Sequence, residues 1–238
     1  LVRTLWRVRK IDPDSEVLIC DDFEEAVDKF ADHTALIFEG ERYTYRQLDA
    51  LANRFAAWAD AQGLKAGDTV ALLLPNRAEY VPAWVGLSKL GVASALINNN
   101  LTGAALAHCL SISNASHVIT DNEGLAATET IRAGLPRSLS YWIIDQDFAA
   151  APGRHALDLK EPKLAPERPL KGRRAGQKAR DVALYIYTSG TTGMPKAAKI
   201  THMRAQLYMR SFAGATASTA EDKTYCVLPL YHATGGLC

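Results

Sequence analysis

The residues Tyr187-Thr188-Ser189-Gly190-Thr191-Thr192-Gly193-Met194-Pro195-Lys196 have types and spacing suited to holding an anion. Six of the ten are Gly, Ser or Thr, and one lysine closes the run. Such a loop offers backbone N–H groups and small hydroxyls in a concave nest that fits phosphate oxygens. Gly190 and Gly193 allow positive φ and close approach, and Lys196 adds a mobile point charge for phosphate. The apolar run Val182-Ala183-Leu184-Tyr185-Ile186 just before it reads as a buried strand. Strand and loop together suggest a nucleoside-triphosphate phosphate loop. It is not the common P-loop, G-x-x-x-x-G-K-[ST], because Pro195 separates Gly193 from Lys196. The competing reading is a Ser/Thr/Gly-rich surface turn, and the order of the residues weighs against it.

A second block, Leu228-Pro229-Leu230-Tyr231-His232-Ala233-Thr234-Gly235-Gly236, follows downstream. With it, the loop resembles the phosphate-binding motif of the acyl-adenylate-forming (AMP-binding) enzymes: acyl-CoA synthetases, luciferases and peptide-synthetase adenylation domains. Asn76-Arg77-Ala78-Glu79-Tyr80, Gly86-Leu87-Ser88-Lys89-Leu90-Gly91-Val92, Ala95-Leu96-Ile97-Asn98 through Leu101, and His108-Cys109-Leu110 narrow the resemblance. They are similar to the fatty acid transport protein branch, also called very-long-chain acyl-CoA synthetases. The resemblance runs from about Asp22 to Cys238 and is weakest between Asp145 and Arg180.

The resemblance implies ATP-dependent activation of a long- or very-long-chain fatty acid through an acyl-adenylate, with AMP as product and coenzyme A as co-substrate. Thr188, Ser189, Thr191 and Thr192 would then donate hydrogen bonds to phosphate oxygens, and Gly190 and Gly193 would let the loop wrap them. Lys196 would balance the β- and γ-phosphate charge. Mg²⁺ is expected on the nucleotide, since a polyphosphate attracts a hard cation. His232 would stand beside the acyl carboxylate and α-phosphate, the alternative being a satisfied structural histidine. Tyr231 would wall or gate the acyl tunnel, or else be an ordinary core aromatic. His202 reads as a structural residue at a helix start. His108 and Cys109 point about 100° apart on a helix and make a poor metal pair. No zinc-type spacing occurs, and no residue is assigned to a metal.

The composition is that of an ordinary globular chain: 238 residues, 48% hydrophobic and 22% charged. A net charge of +1 argues neither for nor against nucleic acid; the resemblance implies small-molecule partners (fatty acid, ATP, coenzyme A) and no nucleic acid. Cys20, Cys109, Cys226 and Cys238 are scattered without a C-x-x-C pair, which predicts reduced, buried thiols of an intracellular protein. No secretory signal pattern opens the chain, and the apolar stretch Val81–Ile97 is too short and broken to span a bilayer. The expected location is cytoplasmic, with peripheral association at the inner face of a membrane left open. Oligomeric state is not legible.

Around these motifs, strands alternate with helices. The fold class is therefore α/β, with mostly parallel sheets flanked by helices, as the incomplete N-terminal part of an adenylate-forming domain. Ala35–Phe38 and Arg42–Tyr43 should form a hairpin about Glu39-Gly40, and Thr44-x-x-Gln47 a capping box. The helix beyond aligns Leu48, Leu51, Ala52, Phe55, Ala56 and Ala59 and stops near Gly63. Strands are expected at Thr69–Leu74, Val92–Ile97, His117–Thr120, Ser140–Ile144, Ala197–Ile200 and Tyr225–Leu228. Helices are expected from an Asn76-x-x-Glu79 cap to Gly91, and near Gly103–Ile112, Leu125–Ala133 and Thr201–Phe212. Lys160–Arg180 holds eight basic residues against two acidic ones and reads as a solvated connector, with a lipid-headgroup patch as the alternative. The organisation expected is a 1–144 α/β subdomain, a 145–180 connector, and a 181–238 start of the nucleotide-binding subdomain.

Set against the resemblance, the chain stops soon after Gly236, so an N-terminal fragment inactive by itself is expected. Two other functions stay open: a membrane-associated fatty-acid uptake protein, and an adenylating enzyme for another carboxylic acid.

Overall fold

Thr69-Val70-Ala71-Leu72-Leu73 is buried at every position, as a strand covered on both faces must be. It forms β3, and its side chains divide by alternation. Val70 and Leu72 join one core cluster while Ala71 and Leu73 join the other. The computed structural model describes residues 2–135, 139–145, 147–148, 151–159, 167–169, 171–188 and 193–238.

In chain order the elements begin with α1 (Val2–Val8), α2 (Ile19–Phe30), β1 (Thr34–Phe38), β2 (Glu41–Thr44) and α3 (Tyr45–Ala61). There follow β3 (Thr69–Leu73), α4 (Tyr80–Ser88), β4 (Ala93–Leu96), α5 (Gly103–Ile112), β5 (His117–Thr120) and α6 (Asn122–Glu129). The last are β6 (Ser140–Ile143), β7 (Arg154–Ala156), β8 (Val182–Thr188), β9 (Lys196–Thr201), α7 (His202–Ala215) and α8 (Ala233–Leu237). β1 and β2 make a separate antiparallel hairpin. The other strands form one seven-stranded sheet in the order β7-β6-β5-β3-β4-β8-β9, parallel except for the antiparallel β8–β9 pair. Residues of α2, α3, α4 and α7 cover one face, and residues of α5 and α6 cover the other. The α/β class and the parallel-dominated sheet agree with the expectation, and β8 and β9 join the same sheet as the earlier strands.

Local signals fared well where they were local. Thr44 Oγ1 accepts the Gln47 N–H at 3.2 Å and Gln47 Oε1 accepts the Thr44 N–H at 2.8 Å, closing the capping box. Four expectations need correction. Asn76 does not cap α4, whose N-cap is Glu79 with no side-chain hydrogen bond. α6 starts earlier than expected because Asp121 caps it through the Gly124 N–H at 2.8 Å, and a 3₁₀ turn at Arg132–Gly134 follows it. Tyr225–Leu228 is irregular and exposed, forming no ladder with the described residues. Of the four free thiols, Cys20 and Cys109 are buried, where desolvation pushes each to about 11, but Cys226 and Cys238 are exposed.

The described part of the basic run is largely exposed, with Arg174 buried, and its cations meet carboxylates. Arg168 pairs with Asp28 and Asp49, Lys171 with Asp21, Arg173 with Asp60, Arg174 with Asp21 and Glu24, Lys178 with Glu16, and Arg180 with Asp14. Acidic residues of α2, α3 and the segment before α2 thus tie this stretch down; Lys160 and Lys163 lie outside the described residues. At the centre sits Lys89, fully buried, whose Nζ lies 2.5 Å from Asp49 Oδ1, 2.7 Å from Asn53 Oδ1 and 3.1 Å from Glu24 Oε1.

His202 opens α7 after the Thr201 cap, buried as expected of a structural residue. Its Nδ1 accepts the Ile19 N–H at 3.4 Å, and burial lowers the ring to about 4 despite Asp181 and Asp21 nearby, with Arg174 acting in the same direction as burial. An unfolded histidine titrates at about 6.5, so between about pH 6.5 and 4 only the unfolded chain takes up this proton. Stability therefore falls as pH drops through that window, by on the order of 2–3 kcal/mol from this group. Urea unfolding at several pH values should show a shallower slope for His202→Asn, which keeps an acceptor near Nδ1. Parallel slopes would exclude this histidine as the source.

Candidate active site

Parallel strands all deliver the chain to one edge of the sheet, and ligands of such sheets bind outside the carboxyl ends where strand order reverses. Here the reversal lies around β3 and β4. β3 delivers Pro75-Asn76 to that edge, β4 delivers Asn98-Asn99-Asn100, and β8 delivers Thr188 and the Gly/Ser/Thr loop.

The loop joins two antiparallel strands. Thr188, the last residue of β8, is the register partner of Lys196, the first of β9, and both are exposed. Directly paired residues project to the same side of a sheet, so a hydroxyl and an ammonium stand together at the loop's mouth. Ser189, Gly190, Thr191 and Thr192 lie outside the described residues. Gly193 has φ +100° with open space around a would-be Cβ, so backbone conformation rather than crowding calls for glycine there. The Pro195 carbonyl accepts from His108 Nε2 of α5 at 3.0 Å, tethering the loop's end to the neighbouring helix.

The second block is fixed differently. Leu230 N–H donates to Asn76 Oδ1 at 2.8 Å, and Asn76 Nδ2 donates to the Leu228 carbonyl at 3.0 Å. Tyr231 is 6% exposed, and its hydroxyl accepts from Asn100 Nδ2 at 3.4 Å. Beneath it in the same cluster lies Tyr80, whose hydroxyl is pushed well above the usual range by burial and then by Tyr231. His232 is exposed at the N-cap of α8, its ring 4.6 Å from that of Tyr231. A Cβ on Gly235 would come within 2.3 Å of the Pro229 carbonyl oxygen, so only glycine lets α8 lie this close to the block's own backbone.

The structure thus gathers Thr188, Gly193, Lys196, Tyr231 and His232 onto segments that emerge at one end of the sheet. Among the described residues no hydrogen bond or ion pair links His232 to Lys196 or Thr188. Sequence reasoning missed Asn76, Asn100 and His108 as anchors. Asn76 did carry a signal, as a polar residue directly after a buried parallel strand, but the Asn-x-x-Glu spacing drew it towards a capping role. A cavity of about 540 Å³ lies elsewhere, between α2 and residues 168–177, lined by the paired charges Asp21, Glu24, Arg168 and Arg174. Among the described residues, no helix is long and apolar enough to cross a membrane.

The chain is similar over most of its length to known proteins. Long-chain fatty acid transport protein 6 of Mus musculus is 35% identical over 224 residues, covering 89% of this chain and 35% of its own length. The medium/long-chain-fatty-acid–CoA ligase FadD6 of Mycobacterium tuberculosis is 31% identical over 225 residues, covering 92% of this chain and 35% of its own. The chain therefore spans about a third of the length of these curated relatives. Among solved structures, the anthranilate CoA ligase AuaEII in complex with anthranoyl-AMP superposes with a TM-score of 0.80 at 25% identity, over 96% of this chain and 43% of that one. The AMP-binding enzyme family model matches residues 23–238, a span that includes the loop and the Pro-Leu-Tyr-His block, and the chain belongs to that family.

Proposed function

We propose that this chain carries the phosphate loop and part of the acyl site of an AMP-forming acid–thiol ligase acting on a long- or very-long-chain fatty acid. The observation that carries the proposal is the delivery of loop and Tyr231–His232 block to one end of the sheet by β3, β4 and β8. The names of the relatives, a long-chain fatty acid transport protein and a medium/long-chain fatty-acid–CoA ligase, support the choice of acid.

In the first half-reaction a carboxylate oxygen of the fatty acid attacks the α-phosphorus of ATP. The bond from that phosphorus to the bridging oxygen breaks, and pyrophosphate leaves. In the second, the thiol of coenzyme A attacks the acyl carbonyl and AMP leaves. Such transfers depend chiefly on positioning and on neutralising phosphate charge. Thr188 and Lys196 would meet the phosphate tail, and Ser189, Gly190, Thr191, Thr192 and Gly193 would wrap it. His232 would face the reacting carboxylate and Tyr231 would line the acyl side. Magnesium accompanies the triphosphate as its counter-ion, with no residue of this chain assigned to it. In this reading residues 181–238 begin the nucleotide-binding subdomain and 1–144 form the flanking one, joined through 145–180.

The test is acid-dependent exchange of labelled pyrophosphate into ATP by the whole protein. Long-chain fatty acids should support exchange, while amino acids and aromatic acids should not. Exchange driven by an aromatic acid alone would move the assignment to another adenylating activity. The transport name of the relative favours one second reading, fatty-acid uptake separate from ligation. Undiminished uptake by an exchange-dead variant would select it.

A further inference from the structure

We propose that Asn76 is a positioning residue that sets where Tyr231 and His232 stand relative to the sheet, a role that rests on the acid-activation reading above. Among the described residues Tyr225–Leu228 joins no strand ladder, and a side chain from beyond β3 reaches its end. The Asn76 amide grips this segment, accepting from the Leu230 N–H at 2.8 Å and donating to the Leu228 carbonyl at 3.0 Å. One planar side chain thus satisfies a donor and an acceptor two residues apart, as a neighbouring strand would.

The anchor is well founded. Asn76 follows the buried β3 and Leu74 through Pro75, whose ring fixes its own φ. What it holds is coupled onward. Tyr231 comes directly after Leu230 and is buried against the core. Gly235 and Gly236 ride on the Pro229 and Leu230 carbonyls, where a Cβ would lie within 2.3 and 2.4 Å of the oxygens. A shift of Leu228–Leu230 therefore carries Tyr231, His232 and α8 with it. Asn76 itself is exposed, and its side-chain hydrogen bonds go to Leu228 and Leu230, so its loss should disturb this block rather than the fold or the ATP side.

Asn76→Ala and Asn76→Asp in the whole protein test this by hydrogen–deuterium exchange and steady-state kinetics. With Ala, exchange at the Leu230 amide should quicken about ten-fold, and kcat/KM for fatty acid should fall by a similar factor. The KM for ATP should stay within about two-fold, because the phosphate loop has its own tether through His108. Asp keeps the acceptor for Leu230 but loses the donor to Leu228, so it should fall between the two. Wild-type exchange at Leu230 in the Ala variant would overturn the proposal, as would equal losses on the acid and ATP sides. If no acid is activated by the parent protein, the functional reading fails while the exchange measurement still decides the clamp.

Discussion

Lys89→Met should destabilise the folded chain by about 3–5 kcal/mol, a large share of the stability of any domain this size. The ammonium is fully buried and lies within 2.5–3.1 Å of Asp49, Asn53 and Glu24. Methionine fills much the same volume, so the loss measures charge rather than cavity. It leaves the Asp49 and Glu24 carboxylates with Arg168 and Arg174 as their remaining cations among the described residues, and removing one partner of a buried pair costs more than the pair contributed. Asp21 shows how strongly these cations act: burial alone would raise its carboxyl, yet the Leu18 N–H and Arg174 hold it below the usual range. Urea denaturation of both proteins at neutral pH gives the number. A difference under about 1 kcal/mol would mean that the surrounding arginines or water replace Lys89 without penalty.

Lys196→Ala in the whole protein should lower acid-dependent pyrophosphate exchange more than about ten-fold, the scale on which a positioned cation stabilises transferring phosphate. Lys196 is exposed at the start of β9, beside Thr188 in register, and among the described residues no carboxylate pairs with it. Its charge is therefore available to a ligand, and its removal should leave the hairpin intact, since backbone bonds of the β8–β9 ladder hold that strand. Lys196→Arg should restore part of the rate. Exchange by the Ala variant at the parent rate would remove Lys196 from the site.

Particular residues show why some features were legible in advance. The α3 stripe, the Thr44 capping box, α5 and β5 follow from periodicity and caps within a few residues, and the structure places them as expected. The loop's character was legible for the same reason, since glycine and hydroxyl residues act through local backbone geometry. Tyr225–Leu228 differs because an apolar run does not name its pairing partner, and none of the described strands pairs with it. The partners of the basic run were not legible because charge composition does not say where the opposite charges lie: Arg174 meets Asp21 across 153 positions of sequence.

By itself, then, the sequence determined the fold class, most of the elements and the family to which the chain belongs. Only the tertiary structure decided how these meet. It turned Asn76 from a helix cap into a clamp on Leu228 and Leu230, tied His108 to Pro195, and buried Lys89 among acids. The physical reason is range. Periodicity and capping act between neighbours along the chain, whereas a hydrogen bond between residues 154 apart exists only once parallel strands have delivered both partners to the same edge.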